Sequence, residues 1–328
     1  MTGPDHLDAD LLSAPGGEPV LVVDAATWRR PEAPIQAVVI GVDRGGTLQA
    51  ESAEDLDLLL TMSADAPSPW VTIDTGQPGV EALAGAVRLH PFAATIAAQV
   101  LRLTARMPLA DALTVESLAY SSLLGGAEFS RWRASAKSEA LTPAPSAPVS
   151  AEREGDLLTL TLDDPANLNA MTARMRDALY EALVNALEDP SRPDVILRGA
   201  GRCFSTGGAL AEFGTAQDFA EAHAVRTLHS CARVLDALGD RATVRLHGAC
   251  VGSGIEVAAA AHRRIATPDA WFQLPELAMG LIPGAGGTAT VARAIGRQRT
   301  LWMLLSGKRI GAVKAHGWGL VDAIEDRS

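Results

Sequence analysis

Two glutamates, Glu256 and Glu276, fall within a glycine-rich stretch, HGACVGSGIEVAAAAHRRIATPDAWFQLPELAMGLIPGAGG, at residues 247–287. Glu256 comes just after Gly252-Ser253-Gly254, where a β-branched run, Thr243 to Leu246, gives way to alanine-rich helical sequence. Glu276 follows Pro275, after another short strand-like run. Two strand-to-helix turns of this kind can aim two carboxylates and unpaired backbone N–H groups at one small volume. That is the equipment for acid–base chemistry beside a carbonyl. Each residue also has a plain structural reading. A carboxylate in a first helical turn favours the helix dipole by ~0.3–1 kcal/mol, and a Glu after Pro can cap a helix.

The stretch resembles the active-site core of the enoyl-CoA hydratase/isomerase (crotonase) family. The usual family pattern is N-G-x-A-x-G-G-G-x-E, then F-x-x-P-E, then G-x-x-P-G-A-G-G. Here it reads His247-Gly248-Ala249-Cys250-Val251-Gly252-Ser253-Gly254-Ile255-Glu256, then Phe272-Gln273-Leu274-Pro275-Glu276, then Gly280-Leu281-Ile282-Pro283-Gly284-Ala285-Gly286-Gly287. Upstream, Asn167-Leu168-Asn169-Ala170 resembles the family's L-N-A segment, and Phe204-Ser205-Thr206-Gly207-Gly208-Ala209-Leu210 its F-C-A-G-A-D-L loop. The five motifs keep their order over residues 156–320.

The resemblance implies a set of roles. Glu256 and Glu276 would be the catalytic pair, and the backbone N–H groups of Gly208 and Ser253 the oxyanion hole. Asn169, Ala170, Thr206, Gly207, Gly252, Pro283 and Gly284 would contact substrate. Hydratases of the family generally keep both carboxylates, whereas many isomerases keep one or neither. Two carboxyls in an apolar cleft cannot both ionise cheaply, so they share a proton and supply an acid and a base near neutral pH. The expected activity is therefore addition of water to a 2-enoyl-CoA thioester. Double-bond isomerisation by one carboxylate is an alternative, and a catalytically silent acyl-CoA-binding or assembly subunit another. No cofactor is expected beyond the coenzyme A of the substrate, and acyl-chain identity is not legible. Three departures stand out. Ser253 replaces the usual central glycine, Ala209 stands where Asp is common, and His247 replaces Asn, where a structural role is favoured.

Other chemistry fits less well. Gly248-x-x-x-Gly252-x-Gly254 also matches the dinucleotide turn of short-chain dehydrogenases. The only tyrosines, Tyr120 and Tyr180, lie upstream, and neither has Lys at the fourth following position. His223, His229 and His262 form no recognisable metal-ligand set. Arg293, Arg297, Arg299, Lys308, Arg309 and Lys314 are candidates for coenzyme A phosphates, or for a solvated basic face.

These residues need a scaffold, and 328 residues suffice for two domains. Hydrophobic residues make up 48% and aromatics 4%, so cores must be built from Ala, Leu and Val. The net charge of −11 belongs mainly to residues 1–150, and no basic patch dominates, which argues against nucleic acid. No secretory signal is visible at the N-terminus. The apolar run 92–110 is broken by Arg102 and Arg106 and reads as amphipathic, not membrane-spanning. Cys203, Cys231 and Cys250 suggest reduced thiols in a cytoplasmic protein.

Residues 139–150, EALTPAPSAPVS, read as an extended linker. Before it, strand-like runs at 19–26, 36–43, 56–62 and 70–74 precede a helical pattern from about 79 to 134. After it, strands at 157–162, 195–198, 243–246 and 264–266 alternate with helices such as 172–187, the mark of an α/β fold. The expected organisation is an N-terminal α/β domain at 1–138, the linker, and a catalytic domain at 151–328. The resemblance sharpens the latter to a crotonase-like ββα spiral, acting as a homo-oligomer, a trimer or hexamer. Family members usually continue about fifty residues of helix beyond the segment resembling 315–321. The N-terminal half, and residues 111–134 in particular, is expected to stand in for those helices, the alternative being an independent domain on a flexible tether.

Overall fold

The computed structural model describes residues 10–31, 35–73, 79–136, 142–143 and 145–326. The chain opens with four parallel strands, β1 (Val20–Asp24), β2 (Val38–Asp43), β3 (Leu58–Thr61) and β4 (Val71–Thr72), paired in that order. Both faces of this sheet are covered, as parallel sheets require. Val38, Ile40, Leu58 and Leu60 enter the main core, while the intervening Ala37, Val39 and Leu59 feed a second cluster with Leu12, Ala25, Leu56 and Trp70. Four helices follow: α1 (Val80–Leu89), α2 (Pro91–Thr104), α3 (Leu109–Leu124) and α4 (Ala127–Ser135). The buried Glu128 carboxylate caps α2, accepting from the N–H groups of Phe92 (2.9 Å) and Ala93 (3.1 Å). The strand expected at 70–74 ends at Thr72, and Asp74 lies outside the described residues.

The second half begins with a hairpin of β5 (Val149–Glu154) and β6 (Leu157–Leu162). The expected linker therefore ends early. Val149 and Ser150 pair with Leu162 and Thr161, because an extended segment beside a strand edge satisfies its backbone by joining the sheet. Then come α5 (Ala173–Glu188), β7 (Asp194–Gly199), α6 (Phe219–Leu228), α7 (Cys231–Ala237) and β8 (Ala242–Leu246). They are followed by β9 (Ala249–Val251), α8 (Ser253–Ala258), β10 (Arg263–Ala266), β11 (Trp271–Gln273), α9 (Gly287–Ile295), α10 (Arg297–Ser306), β12 (Ile310–Gly311), α11 (Ala312–Trp318) and β13 (Ala323–Ile324).

Two sheets share this half. One runs β13-β10-β8-β7-β6-β5 and the other β12-β11-β9. The chain repeatedly leaves the first for the second: β8 leads to β9 and α8, and β10 leads to β11 and the 3-10 turn Glu276–Met279. Bridges from Met171 to Gly208 and from Ser205 to Cys250 continue the pattern through the two upstream loops. Each crossing leaves a turn at the same end of the second sheet, and these turns hold the motif residues.

Contacts between the halves are extensive. A single apolar core runs from Val20, Ile40 and Leu83 through Ala97 and Leu101 to Leu160, Phe272 and Trp302. Buried Asp57 meets Arg102 at 3.2 Å and Arg297 at 3.6 Å. Among the described residues no helix is long and apolar enough to cross a membrane.

Candidate active site

Glu256 and Glu276 are both buried, on α8 and at the start of the 3-10 turn after β11. Their convergence can be measured at Gly252, whose φ of +48° and ψ of −125° suit only glycine. A methyl group placed on its Cα would lie 2.7 Å from Glu276 Oε1 and 3.8 Å from Glu256 Oε1. Side chains twenty positions apart thus bracket one Cα, because α8 and the 3-10 turn start from adjacent paired strands, β9 and β11.

The two carboxylates have different surroundings. Glu256 Oε2 accepts from the N–H groups of Ala285 (2.7 Å) and Gly287 (3.1 Å), at the start of α9. Glu276 Oε2 is buried and has no hydrogen-bond partner among the described residues. Desolvation dominates for both. It pushes Glu256 up to about 7 against the pull of those N–H donors. Glu276 rises well above the ordinary range through burial first and the neighbouring Glu256 second. The environment keeps one proton on the pair around neutrality, with Glu256, the better-donated carboxylate, the easier to ionise.

The upstream loop is placed by buried polar contacts. The Asn169 side chain donates to the carbonyls of Ala200 (2.9 Å), Cys203 (3.1 Å) and Phe204 (3.1 Å), and accepts from Asp164 N–H (2.9 Å). These contacts commit the Asn169 side chain to the protein's own backbone. Fully buried, it spends its hydrogen-bonding groups on the backbone and braces the loop. Ser205 Oγ donates to Asn169 O (2.8 Å) and accepts from Gly207 N–H (3.1 Å). Gly207 has φ +88°, and a Cβ there would come within 2.6 Å of Val251 O, so this loop lies directly against the turn after β9. Thr206 donates its N–H to Leu168 O (3.2 Å), and Ala170 is buried. Among the described backbone hydrogen bonds, neither Gly208 N–H nor Ser253 N–H finds an acceptor. Ser253 is the first residue of α8, where donors are free and the dipole favours an anion. Pro283 and Gly284 lie in the turn before α9, with Pro283 buried and Gly284 against the Tyr120 ring.

Two side chains from α3, given no role at this site by the sequence, complete it. Glu116, buried, accepts from the N–H groups of Gly286 (2.7 Å) and Thr288 (2.7 Å) and from Thr288 Oγ1 (2.6 Å). Tyr120 packs on Gly284 and beneath Arg226, whose guanidinium lies 4.7 Å from the ring centroid. Burial raises the Tyr120 phenol, and nearby Glu256, Glu276 and Glu116 add to the rise against Arg226. A signal for Glu116 exists in sequence: it continues the apolar stripe of Leu109, Ala112 and Leu113, where a carboxylate needs a partner.

A hollow of about 600 Å³ opens beside this group, lined by Tyr120, Met171, Ala209, Phe213 and Arg226. A smaller one of about 80 Å³ reaches Glu116 and the 284–286 turn and shares Met171, Arg176 and Arg226 with it. A larger hollow, about 880 Å³, lies between β5, β6 and α5, away from both glutamates.

The basic candidates at 293–314 turn elsewhere. Arg293 donates to Met107 O, Arg297 to Glu54 O, and Arg299 to Trp70 O and Ala66 O, so these three join the halves. Arg309 lies over Trp271, and Lys314 over Trp302 and Trp318. His223 meets Ser117 and His229 meets Asp177. No metal-binding cluster occurs among the described residues, and His247 reaches Gly201 O at 3.2 Å.

Comparison with known proteins agrees with this geometry. The enoyl-CoA hydratase/isomerase family model matches residues 152–327. An enoyl-CoA hydratase structure from Thermoplasma volcanium is 31% identical with a TM-score of 0.51, over 56% of this chain and 73% of that one. An enoyl-CoA hydratase/carnithine racemase structure from Magnetospirillum magneticum is 28% identical with a TM-score of 0.51, over 56% and 70%. Among curated proteins, the glyoxysomal fatty acid beta-oxidation multifunctional protein of Cucumis sativus is 34% identical over 168 residues, 50% of this chain and 23% of that protein. The fatty acid oxidation complex subunit alpha of Shewanella oneidensis is 33% identical over 177 residues, 52% and 25%. The matched region spans about a quarter of these curated relatives. With its family model covering more than half the residues, the chain belongs to the enoyl-CoA hydratase/isomerase family.

Proposed function

We propose that this protein adds water across the double bond of a 2-enoyl-CoA thioester. The observation that carries the reading is the convergence of two buried carboxylates on Gly252, next to the N–H groups of Gly208 and Ser253, which have no acceptor among the described residues. The thioester oxygen sits between those two donors, which stabilise the negative charge that develops on it. Glu256, its anion supported by Ala285 and Gly287, takes a proton from water as the hydroxyl bonds to C3. Glu276, held protonated by its burial, gives its proton to C2 as the enolate collapses. Water has then been split across the double bond, and proton exchange between the carboxyls resets the pair.

Incubating the protein with short and medium 2-enoyl-CoA esters tests this directly, through loss of the conjugated thioester absorbance. Glu256→Gln and Glu276→Gln are each expected to lower kcat by ~10²–10⁴-fold with acyl-CoA binding nearly intact. The double variant is expected to fall far short of the product of the two losses. Near-normal turnover in either single variant would remove that residue from the mechanism.

The asymmetry of the pair favours one second reading. Two backbone donors support Glu256 through Oε2, whereas Glu276 has a buried oxygen with no hydrogen-bond partner among the described residues, and one carboxylate suffices to move a proton between C2 and C4. A 3-enoyl-CoA separates the readings. Its conversion to the conjugated isomer without net hydration supports isomerisation.

A further inference from the structure

We propose that α3 is a working part of this active site, with Glu116 the positioning residue that fixes the 285–288 turn against Glu256. The inference rests on the catalytic reading of Glu256 given above. Four successive N–H groups at the start of α9 are shared between two carboxylates in strict alternation. Ala285 and Gly287 donate to Glu256, and Gly286 and Thr288 donate to Glu116. Free N–H groups at a helix start normally meet water or a capping side chain. Here both acceptors are buried, and the one from α3 belongs to the half outside the matched family region.

The grip is reinforced on both sides. Thr104 Oγ1, at the end of α2, shares its proton between Val100 O of its own helix (2.9 Å) and, at longer range, Thr288 O (3.3 Å), so α2 also touches the start of α9. Arg226 of α6 in turn holds α3, donating to Ser117 Oγ (2.8 Å) and Ser121 Oγ (3.1 Å). Glu116 consequently has little freedom to shift.

A capping role alone does not account for a carboxylate here. A neutral Ser or Asn would satisfy a helix start without placing a second acid beside Glu256. The charged and titratable groups facing Glu116 are Glu256 on α8, Glu276, Tyr120 on its own helix and Arg226 on α6, with His223 at the neighbouring Ser117. Burial and Glu256 raise Glu116, while the Thr288 and Gly286 donors oppose the rise. An acid in that position fixes the turn that supports the Glu256 anion, and that anion in turn makes Glu116 harder to ionise.

The test compares full-length protein with Glu116→Gln and, in case the amide disrupts folding, Glu116→Asp. Backbone hydrogen exchange reads the turn and hydration of a short 2-enoyl-CoA reads the chemistry. In Glu116→Gln, exchange at residues 285–288 is expected to rise at least about tenfold while the β6–β8 core is unchanged. A small misplacement of a supporting group costs up to ~10²-fold in rate, so kcat should fall about 10–100-fold with KM within about threefold. The acid limb of the kcat profile should move to higher pH, because a loosened turn donates less well to the Glu256 anion. Glu116→Asp should lie between the two on each measure. Unchanged exchange with unchanged kcat overturns the proposal. Lost kcat with unchanged exchange overturns it too, since Glu116 would then act on the reactants directly, and faster exchange with normal kcat shows the turn does not matter to the chemistry. If the unaltered protein hydrates no enoyl thioester, the functional reading fails, and the exchange comparison still decides whether Glu116 positions the turn.

Discussion

Glu276 shows what the site costs at the scale of one residue. Its carboxyl is desolvated, lies beside Glu256, and has one oxygen without a hydrogen bond among the described residues. Its pKa in the folded protein stands above the unfolded value, so the folded state binds this proton more tightly. The corresponding stability is fully present below about pH 4.3 and is lost as pH rises through the raised value. Gln has no proton to lose. Glu276→Gln should therefore melt at least about 2 °C above the unaltered protein at pH 8, with a smaller or no difference at pH 5. Thermal unfolding at the two pH values checks this, and an equal gap at both would show that the ionised carboxylate is not the source. Glu256 and Glu276 were legible in sequence because glycines and a proline fix their turns. Glu116 was not, since its partners lie 170 and 172 residues away and a stripe of apolar positions does not say what faces it. Asn169 was found at its motif, but the bracing of the loop by its side chain was not foreseen, because a motif fixes a position and not the direction of a side chain.

At the scale of elements, the loop bearing Gly208 and the turn bearing Ser253 must be held together for the two N–H groups to act as one site. Gly207 is where they meet. Gly207→Ala would set a Cβ 2.6 Å from Val251 O at a left-handed φ, so loop and turn must separate. Loss of an oxyanion donor elsewhere costs ~2.7–4 kcal/mol, or about 10²–10³ in kcat. Gly207→Ala should approach that loss, whereas Ser253→Ala should be mild, because only the backbone of Ser253 is needed. Steady-state kinetics on both variants checks the contrast, and a severe Ser253→Ala would assign the hydroxyl a role of its own. Strand and helix positions were largely readable here: β6 spans the expected 157–162, and α5 is displaced by one residue from 172–187. The destination of α10 was not. Its arginines read as candidates for coenzyme A phosphates or for a solvated basic face, and meet instead carbonyls of the N-terminal half, a partner that helix periodicity cannot name.

At the scale of the whole molecule, the two halves share one apolar core and a buried ion-pair cluster at Asp57. Calorimetry should accordingly show a single unfolding transition, and two separable transitions would mean that the halves are independent. Removing one partner of a buried pair costs up to about 3–5 kcal/mol, because the cations left behind, here half-buried, lose their counter-charge. Asp57→Ala should lose that much in chemical denaturation and lower the midpoint without splitting the transition.

The alternating grip on the start of α9 has a consequence for how the enzyme comes to be. On the ribosome Glu116 is made long before Thr288, and closing so long a loop is paid for in chain entropy before the contact returns anything. Until that moment the nascent N-terminal half carries an unmatched acid on an apolar helix face. Catalytic competence should thus emerge only after synthesis nears residue 288, as one of the last events of maturation, with α3 waiting for the strand-crossing half to arrive.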